Sequence, residues 1–234
     1  MNYLAIDAST EACSVALSYN GNICHQFELC PQSHSTVLLP MIDSILTQAG
    51  CKLTDLDGLI FGRGPGSFTG VRIGIGVVQG LAFSAELNVV GVSTLRAMAQ
   101  QAYDKHQQKQ VIAAIDARMS EVYTGYFTVN EQGIMEEQKA ETVLPPADLA
   151  HYYSEVTTPV YGVGTGWDAY TEVLAALKTN QDSENGSPDI LYPDARAMLI
   201  LGSEDFKNGL AVSAEFAQPV YVRDTVSWKK LPGR

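Results

Sequence analysis

The chain has 234 residues, enough for one large domain or two modest ones, and nearly half are apolar, enough for a proper core. A formal net charge of −11 argues against a chain that grips nucleic acid alone, because neutralising phosphates takes clustered Lys and Arg. Met1 to Asp7 lacks the basic-then-apolar order of a secretory leader, and the apolar stretches are broken by Gly or charge short of a membrane span, so a cytoplasmic chain is expected.

Tyr3 to Asp7 reads as a short buried strand, Cys13 to Ser18 and Ile23 to Leu29 as a hairpin turning at Tyr19-Asn-Gly-Asn22. Cys13, Cys24, Cys30 and Cys51 lie in this first quarter without a Cys-x-x-Cys pair or a histidine at metal spacing, which reads as reduced, buried thiols. Ser33 or Ser35 can cap a helix carrying Val37, Leu38, Met41, Ile42, Ile45 and Leu46 and ending near Gly50. A strand over Gly58 to Gly62 follows.

Gly62-Arg-Gly-Pro-Gly-Ser-Phe-Thr-Gly70 reads as a turn feeding a helix from about Gly70 to Leu87, with Ser67 or Thr69 as its cap. At 100° per residue Arg72, Gln79 and Glu86 share one narrow sector, and apolar residues fill the rest. Such a helix is either central in its domain or covered by something on its far side. Gly76, Gly80 and Ser84 add a strip with almost no side chain, and each glycine costs roughly 1 kcal/mol of helix propensity against alanine, so close approach of another backbone is the simplest compensation. A phosphate cradle is the rival, but the P-loop pattern demands a lysine, and none lies between Lys52 and Lys105. A strand over Val89 to Val92 and a helix capped by Ser93 complete this half.

Lys105 to Gln110 is polar and unpatterned, the best internal boundary. Beyond it Ala114-Ile-Asp-Ala117 repeats Ala5-Ile-Asp-Ala8, each followed by a glutamate (Glu11, Glu121), an alternating strand and a turn. The second half continues with strands to about Val143, a helix after Pro145-Pro146, a strand over Val160 to Val163, a helix from Gly164 through Leu177 and a loop over Asn180 to Pro188. A short strand over Ile190 to Tyr192, a helix over Ala195 to Lys207 and a tail ending in Trp228-Lys-Lys230 close the chain. The expectation is an α/β protein of two related ribonuclease H-like lobes: residues 1–105, with the tail 217–234 packing back on or near them, and residues 106–216.

Two lobes each opening with strand, Asp, turn and strand have the layout of the actin, sugar-kinase and Hsp70-like ATPase fold. The finer resemblance lies in Ala5 to Leu17, His34-Ser-x-x-Leu-Leu-Pro40, Gly64-Pro-Gly-Ser-Phe-Thr-Gly-x-Arg-Ile-Gly74, Gly91 to Leu95, Ala114 to Met119 with Glu121-Val-Tyr123, and Pro219 to Asp224. Together these resemble the TsaB family and span residues 3 to about 230. The resemblance implies a non-catalytic subunit of the bacterial machinery that makes threonylcarbamoyladenosine at position 37 of tRNAs reading codons that begin with A. It implies a metal-bearing catalytic paralogue, TsaD, and a small ATPase, TsaE, as partners, pairing through the first-lobe helices with TsaD or with a second copy of the chain, and tRNA contact only through the complex. It carries the partner interface onto Ser33, His34, Val37, Leu38, Met41, Val71, Ile73, Gly74, Gly76, Val77, Gly80 and Ser84.

No catalytic residue and no metal ligand is expected. The catalytic paralogue holds its metal with a His-x-x-x-His pair, whereas His34 is followed four places on by Leu38, and His25, His106 and His151 are scattered. Asp7, Asp116 and Gly164 stand as remnants of the fold's nucleotide site, with alanine after both acids where those ATPases favour glycine. ADP or ATP is expected, if anywhere, at the junction with the partner. The rival is an ATP-dependent small-molecule kinase or ATPase working through Asp7 and Asp116. Ser67 lacks the Gly-x-Ser-x-Gly elbow of a hydrolase.

Overall fold

Strand β1 (Tyr3–Asp7) is buried along its whole length, as an apolar run in the middle of a sheet must be. The computed structural model describes residues 1–174, 177 and 188–223. Strands β2 (Ala12–Tyr19) and β3 (Asn22–Leu29) form the expected hairpin, turning through Asn20 and Gly21, both left-handed as a two-residue turn between right-twisted strands requires. Helix α1 (His34–Ala49) buries Leu38, Met41, Ile42 and Ile45 and stops at left-handed Gly50. After β4 (Gly58–Gly62), helix α2 (Phe68–Ala85) begins two residues earlier than expected, with Ser67 Oγ accepting from the Gly70 N–H. Then come β5 (Asn88–Val92) and α3 (Thr94–His106), capped by Ser93.

The second half runs through β6 (Gln110–Asp116), β7 (Val122–Val129), β8 (Met135–Leu144), α4 (Leu149–Tyr152), β9 (Tyr161–Val163), α5 (Thr165–Ala169), α6 (Thr171–Leu174), α7 (Ala195–Lys207) and β10 (Val212–Ser213). The single helix expected from Gly164 to Leu177 is two short ones, broken where Tyr170 leaves helical geometry (φ −130°, ψ 37°). Ile190 to Tyr192 forms no strand; Ile190 is buried and its carbonyl accepts from the Gly164 N–H. Most of the loop expected over 180–188, and the tail end with Trp228, Lys229 and Lys230, lie outside the described residues.

The strands form a six-stranded sheet of order β10-β5-β4-β1-β2-β3 and a four-stranded sheet of order β8-β7-β6-β9. In both, an antiparallel three-strand meander is joined by a parallel strand beside its first member: β4 against β1, β9 against β6. The repeated tetrapeptides thus close equivalent strands, with Asp7 and Asp116 at equivalent ends. Architecture and topology are those of the actin, sugar-kinase and Hsp70-like ATPase superfamily.

Leu4, Ile6, Val15, Leu17, Leu59 and Phe61 bury one face of the first sheet under α1 and α2. Tyr3, Ala5, Ile60 and Val90 bury the other under α7, through Met198 and Leu201. Leu95, Met98 and Ala102 of α3 pack on Val111, Ala113 and Ile115 of the second sheet, while Arg96 holds Asp205 of α7 at 3.0 Å. Residues up to 216 were expected in the second lobe, but α7 covers the first sheet and Val212 pairs with Val89 of β5. We propose lobes of 1–106 with 195–223, and 110–174.

By length and composition α2 is apolar enough to cross a membrane, with 18 residues of mean hydropathy 1.3, against the expectation that every apolar stretch falls short. In the fold it is a sheet-packed helix: Gly70, Val71, Gly74, Ile75, Val78 and Ala82 are buried. The tail crosses it, with Ala217 O accepting from Gln79 Nε2 and Tyr221 Oη from Arg72 Nε.

Candidate functional site

The glycine turn meets the turn after β1 rather than open space. A Cβ on Gly66 would lie 2.1 Å from Ser9 O, one on Gly70 2.2 Å from Ala8 O, and one on Gly62 1.8 Å from Asp7 Oδ2. Glycine at these positions lets residues 7–9 nest against the start of α2. Three amides there already have acceptors: Ser67 N–H donates to Ser9 O, Gly70 N–H to Ser67 Oγ and Val71 N–H to Ser67 O. A phosphate cradle needs such amides free; these three are held by the chain's own carbonyl and hydroxyl oxygens.

Asp7 is 1% exposed. Its Oδ1 accepts from the Ser9 N–H and Oγ–H, each at 3.0 Å, Thr94 Oγ1 donates on to Ser9 Oγ at 2.9 Å, and Oδ2 has no partner. Burial pushes its pKa up to about 7, the Ser9 hydrogen bonds offsetting only part of that. Asp116 is engaged differently: its carboxylate accepts from the Arg118 N–H and Nη1, and Arg118 Nη2 reaches Glu11 at 3.2 Å, tying the two acid turns together. Gly164 takes φ 104° and a Cβ there would lie 2.2 Å from Ala114 O, so it serves the close packing of α5 on β6. Asp7 and Asp116 therefore stand at equivalent strand ends in the two halves, and Asp7 Oδ1, the Asp116 carboxylate and Gly164 are taken up by internal contacts, while Asp7 Oδ2 is not.

The interface candidates divide by which way their helices face. On α2, Gly76 and Gly80 have nothing within 4 Å of a Cβ position, and Ser84 is exposed. Ile73 and Val77 are half-buried beside them. Val71 and Gly74 point inward, Val71 at 4% exposure and Gly74 against Ala8. On α1, Leu38 and Met41 are core residues, Val37 is half-buried and Ser33 is exposed without capping the helix. His34 is buried at 8%, its Nε2 2.6 Å from Thr10 O. Leu38, Val71 and Gly74 thus face the lobe's own core, and Met41 and His34 keep only 6% and 8% exposure.

Residues the sequence reading passed over complete the outer surface: Leu39 (50% exposed), Phe68 (57%) and Phe83 (78%). Arg72 lies over the Phe68 ring at 3.7 Å, and an open hollow of about 280 Å³ is lined by Arg72, Ile75, Gly76, Gln79, Ala217 and Tyr221. The narrow sector of Arg72, Gln79 and Glu86 marks the outward side in the sequence, but apolar Phe68 and Phe83 fall in it too, so apolar spacing alone did not separate outer from inner residues. Arg223 is paired with Glu121 at 2.6 Å. The fold also brings His34 beside Cys13 and Cys30, which their spacing in sequence did not suggest.

A two-lobed protein of this ATPase superfamily, with its phosphate turn closed and a bare helix face outward, is the class these features define. A family model described as TsaD, tRNA N6-adenosine threonylcarbamoyltransferase, matches residues 27–230. The tRNA threonylcarbamoyladenosine biosynthesis protein TsaB of Escherichia coli (strain K12) is 47% identical over 234 residues, covering 100% of both chains. That of Haemophilus influenzae is 44% identical over 241 residues, covering 100% of this chain and 98% of the relative. The solved structure of YeaZ from Pseudomonas aeruginosa superposes with a TM-score of 0.83 at 43% identity, covering 94% of this chain and 99% of that one. The chain belongs to the TsaD family and, within it, to the TsaB proteins of tRNA threonylcarbamoyladenosine biosynthesis.

Proposed function

We propose that this chain is a non-catalytic subunit in threonylcarbamoyl transfer to adenosine 37 of tRNAs reading codons that begin with A, acting in the cytoplasm by docking a TsaD-like catalytic paralogue through the outer face of α1 and α2. The observation that carries this reading is the strip of Gly76 and Gly80, open to solvent and flanked by half-buried Ile73 and Val77 and by exposed Phe83. A helix that gives up propensity at two exposed glycines gains nothing from them inside its own lobe. Another backbone can approach there within packing distance, with Phe83 and Leu39 as apolar contacts around it.

Absence of chemistry in this chain is supported by Asp7, sealed from solvent with its pKa raised to about 7, which makes it a poor Mg²⁺ ligand, and by Asp116, whose carboxylate is ion-paired with Arg118. The TsaE-like ATPase joins the pair, ADP or ATP sits at most at its junction, and tRNA is met through the complex. A homodimer through the same face is the resting state when the partner is missing.

Replacing Gly76 or Gly80 with Leu tests this directly. Both variants are expected to fold with unchanged or raised melting temperature, since the added side chain meets open space, and to lose copurification with TsaD and tRNA modification in the reconstituted system. Complexes that form normally with both folded variants would refute the docking face. ATP hydrolysis by the purified chain, abolished in Asp7→Asn, would refute the non-catalytic reading.

A further inference from the structure

Cys13 on β2, Cys30 just past β3 and His34 at the start of α1 form a buried cluster that the docking reading does not use. One donor atom from each, the two sulfurs and a ring nitrogen of His34, lie within 4.8 Å of one another, and the residues are 0%, 4% and 8% exposed. His34 Nε2 lies 2.6 Å from the carbonyl oxygen of Thr10. A carbonyl only accepts, so in a neutral ring the proton is on Nε2 and the lone pair on Nδ1; a backbone carbonyl fixing the tautomer in this way is the usual outer support of a metal-bound imidazole. Cys30 is held on both sides, its N–H donating to Glu11 O at 3.0 Å and its carbonyl accepting from the Ser33 N–H at 2.9 Å. The donors are therefore pre-positioned by β2, β3 and the first turn of α1.

Two thiols and an imidazole are a soft donor set, suited to thiophilic metals rather than to Mg²⁺ or Ca²⁺. The group has three members among the described residues and is closed to solvent. Zn(II) in a structural site takes four protein ligands, whereas a closed set of three suits a d¹⁰ monovalent ion. We propose that Cys13, Cys30 and His34 bind one Cu(I) ion per chain beneath the N-terminus of α1. On binding, two metal–sulfur bonds form, both thiol protons pass to solvent, and no group changes oxidation state.

The test uses the full chain, reduced and kept anaerobic, titrated with Cu(I) against a colorimetric Cu(I) chelator. The expected result is one ion retained per chain, with two sulfurs and one nitrogen around it by X-ray absorption, a readout that needs no variant. Cys13→Ser and Cys30→Ser should abolish retention, and His34→Asn should weaken it by about tenfold or more. The Cys24→Ser/Cys51→Ser double variant should bind as the parent does. No retention by the parent, an all-sulfur shell, equal retention after loss of Cys13 and Cys30, or tighter binding of Zn(II) than of Cu(I) would each overturn the assignment.

Discussion

Asp7 is a buried carboxyl, and its consequence is a pH dependence of stability. In the folded chain its pKa is raised to about 7, against a reference value of 3.8, chiefly by burial. Between about pH 4 and pH 7 the folded form keeps a proton that the unfolded form has lost, so stability is highest at the acid side of this window and falls as pH rises through it. Above pH 7 both forms are ionised and the slope vanishes. Asp7→Asn keeps the acceptor for the Ser9 N–H and removes the buried charge. Denaturant unfolding at pH 5 and pH 8 should show the variant losing this slope and gaining on the order of 2–4 kcal/mol over the parent at pH 8. Identical pH slopes for parent and variant would mean Asp7 is not the group responsible. The pairing of Asp7 with Asp116 was legible in the sequence as a repeated tetrapeptide. Their occupation was not, because Ser9, Thr94 and Arg118 reach them only through the turns that the sheets bring together.

Helix α2 contains glycines of two kinds, and one substitution separates them. At Gly76 an added Cβ meets nothing within 4 Å. Gly76→Ala should therefore stabilise the isolated chain by about 0.5–1 kcal/mol through helix propensity alone. At Gly70 the same Cβ would lie 2.2 Å from Ala8 O. Gly70→Ala should cost about 1–3 kcal/mol as the 7–9 turn is pushed off the helix. Urea unfolding of the two variants should give opposite signs; the same sign for both would contradict the nesting of residues 7–9 on α2. In the sequence all these glycines look alike, since spacing along one helix does not reveal which side has a neighbour.

Across the whole molecule, charge argues against a direct grip of this chain on RNA. With a net charge of −11 and Arg223 and Arg118 already paired to carboxylates, the described surface offers little to neutralise phosphates. The isolated chain should show no retention of tRNA in gel shifts at 150 mM salt, a commonly used near-physiological ionic strength, while the reconstituted complex retains it. Retention by the chain alone, weakening steeply with salt, would place a direct RNA contact on this subunit. The two lobes are joined through α3, which packs on the second sheet and holds α7 by the Arg96–Asp205 pair, so the chain returns to its first sheet after completing the second.

What the sequence determined by itself was local and periodic: the strand that ends in Asp7 and its copy ending in Asp116, the Asn20-Gly21 hairpin, the Ser67 and Ser93 caps, the Gly50 stop and the inward stripe of α1. These follow from backbone preference and apolar spacing within a few residues. Only the tertiary structure decided which glycines of α2 have a neighbour, the return of α7 to the first sheet, the nesting of residues 7–9 against the glycine turn and the meeting of Cys13, Cys30 and His34. Each of those depends on contacts between segments far apart in the chain, and apolar periodicity specifies that a face is buried without specifying what buries it.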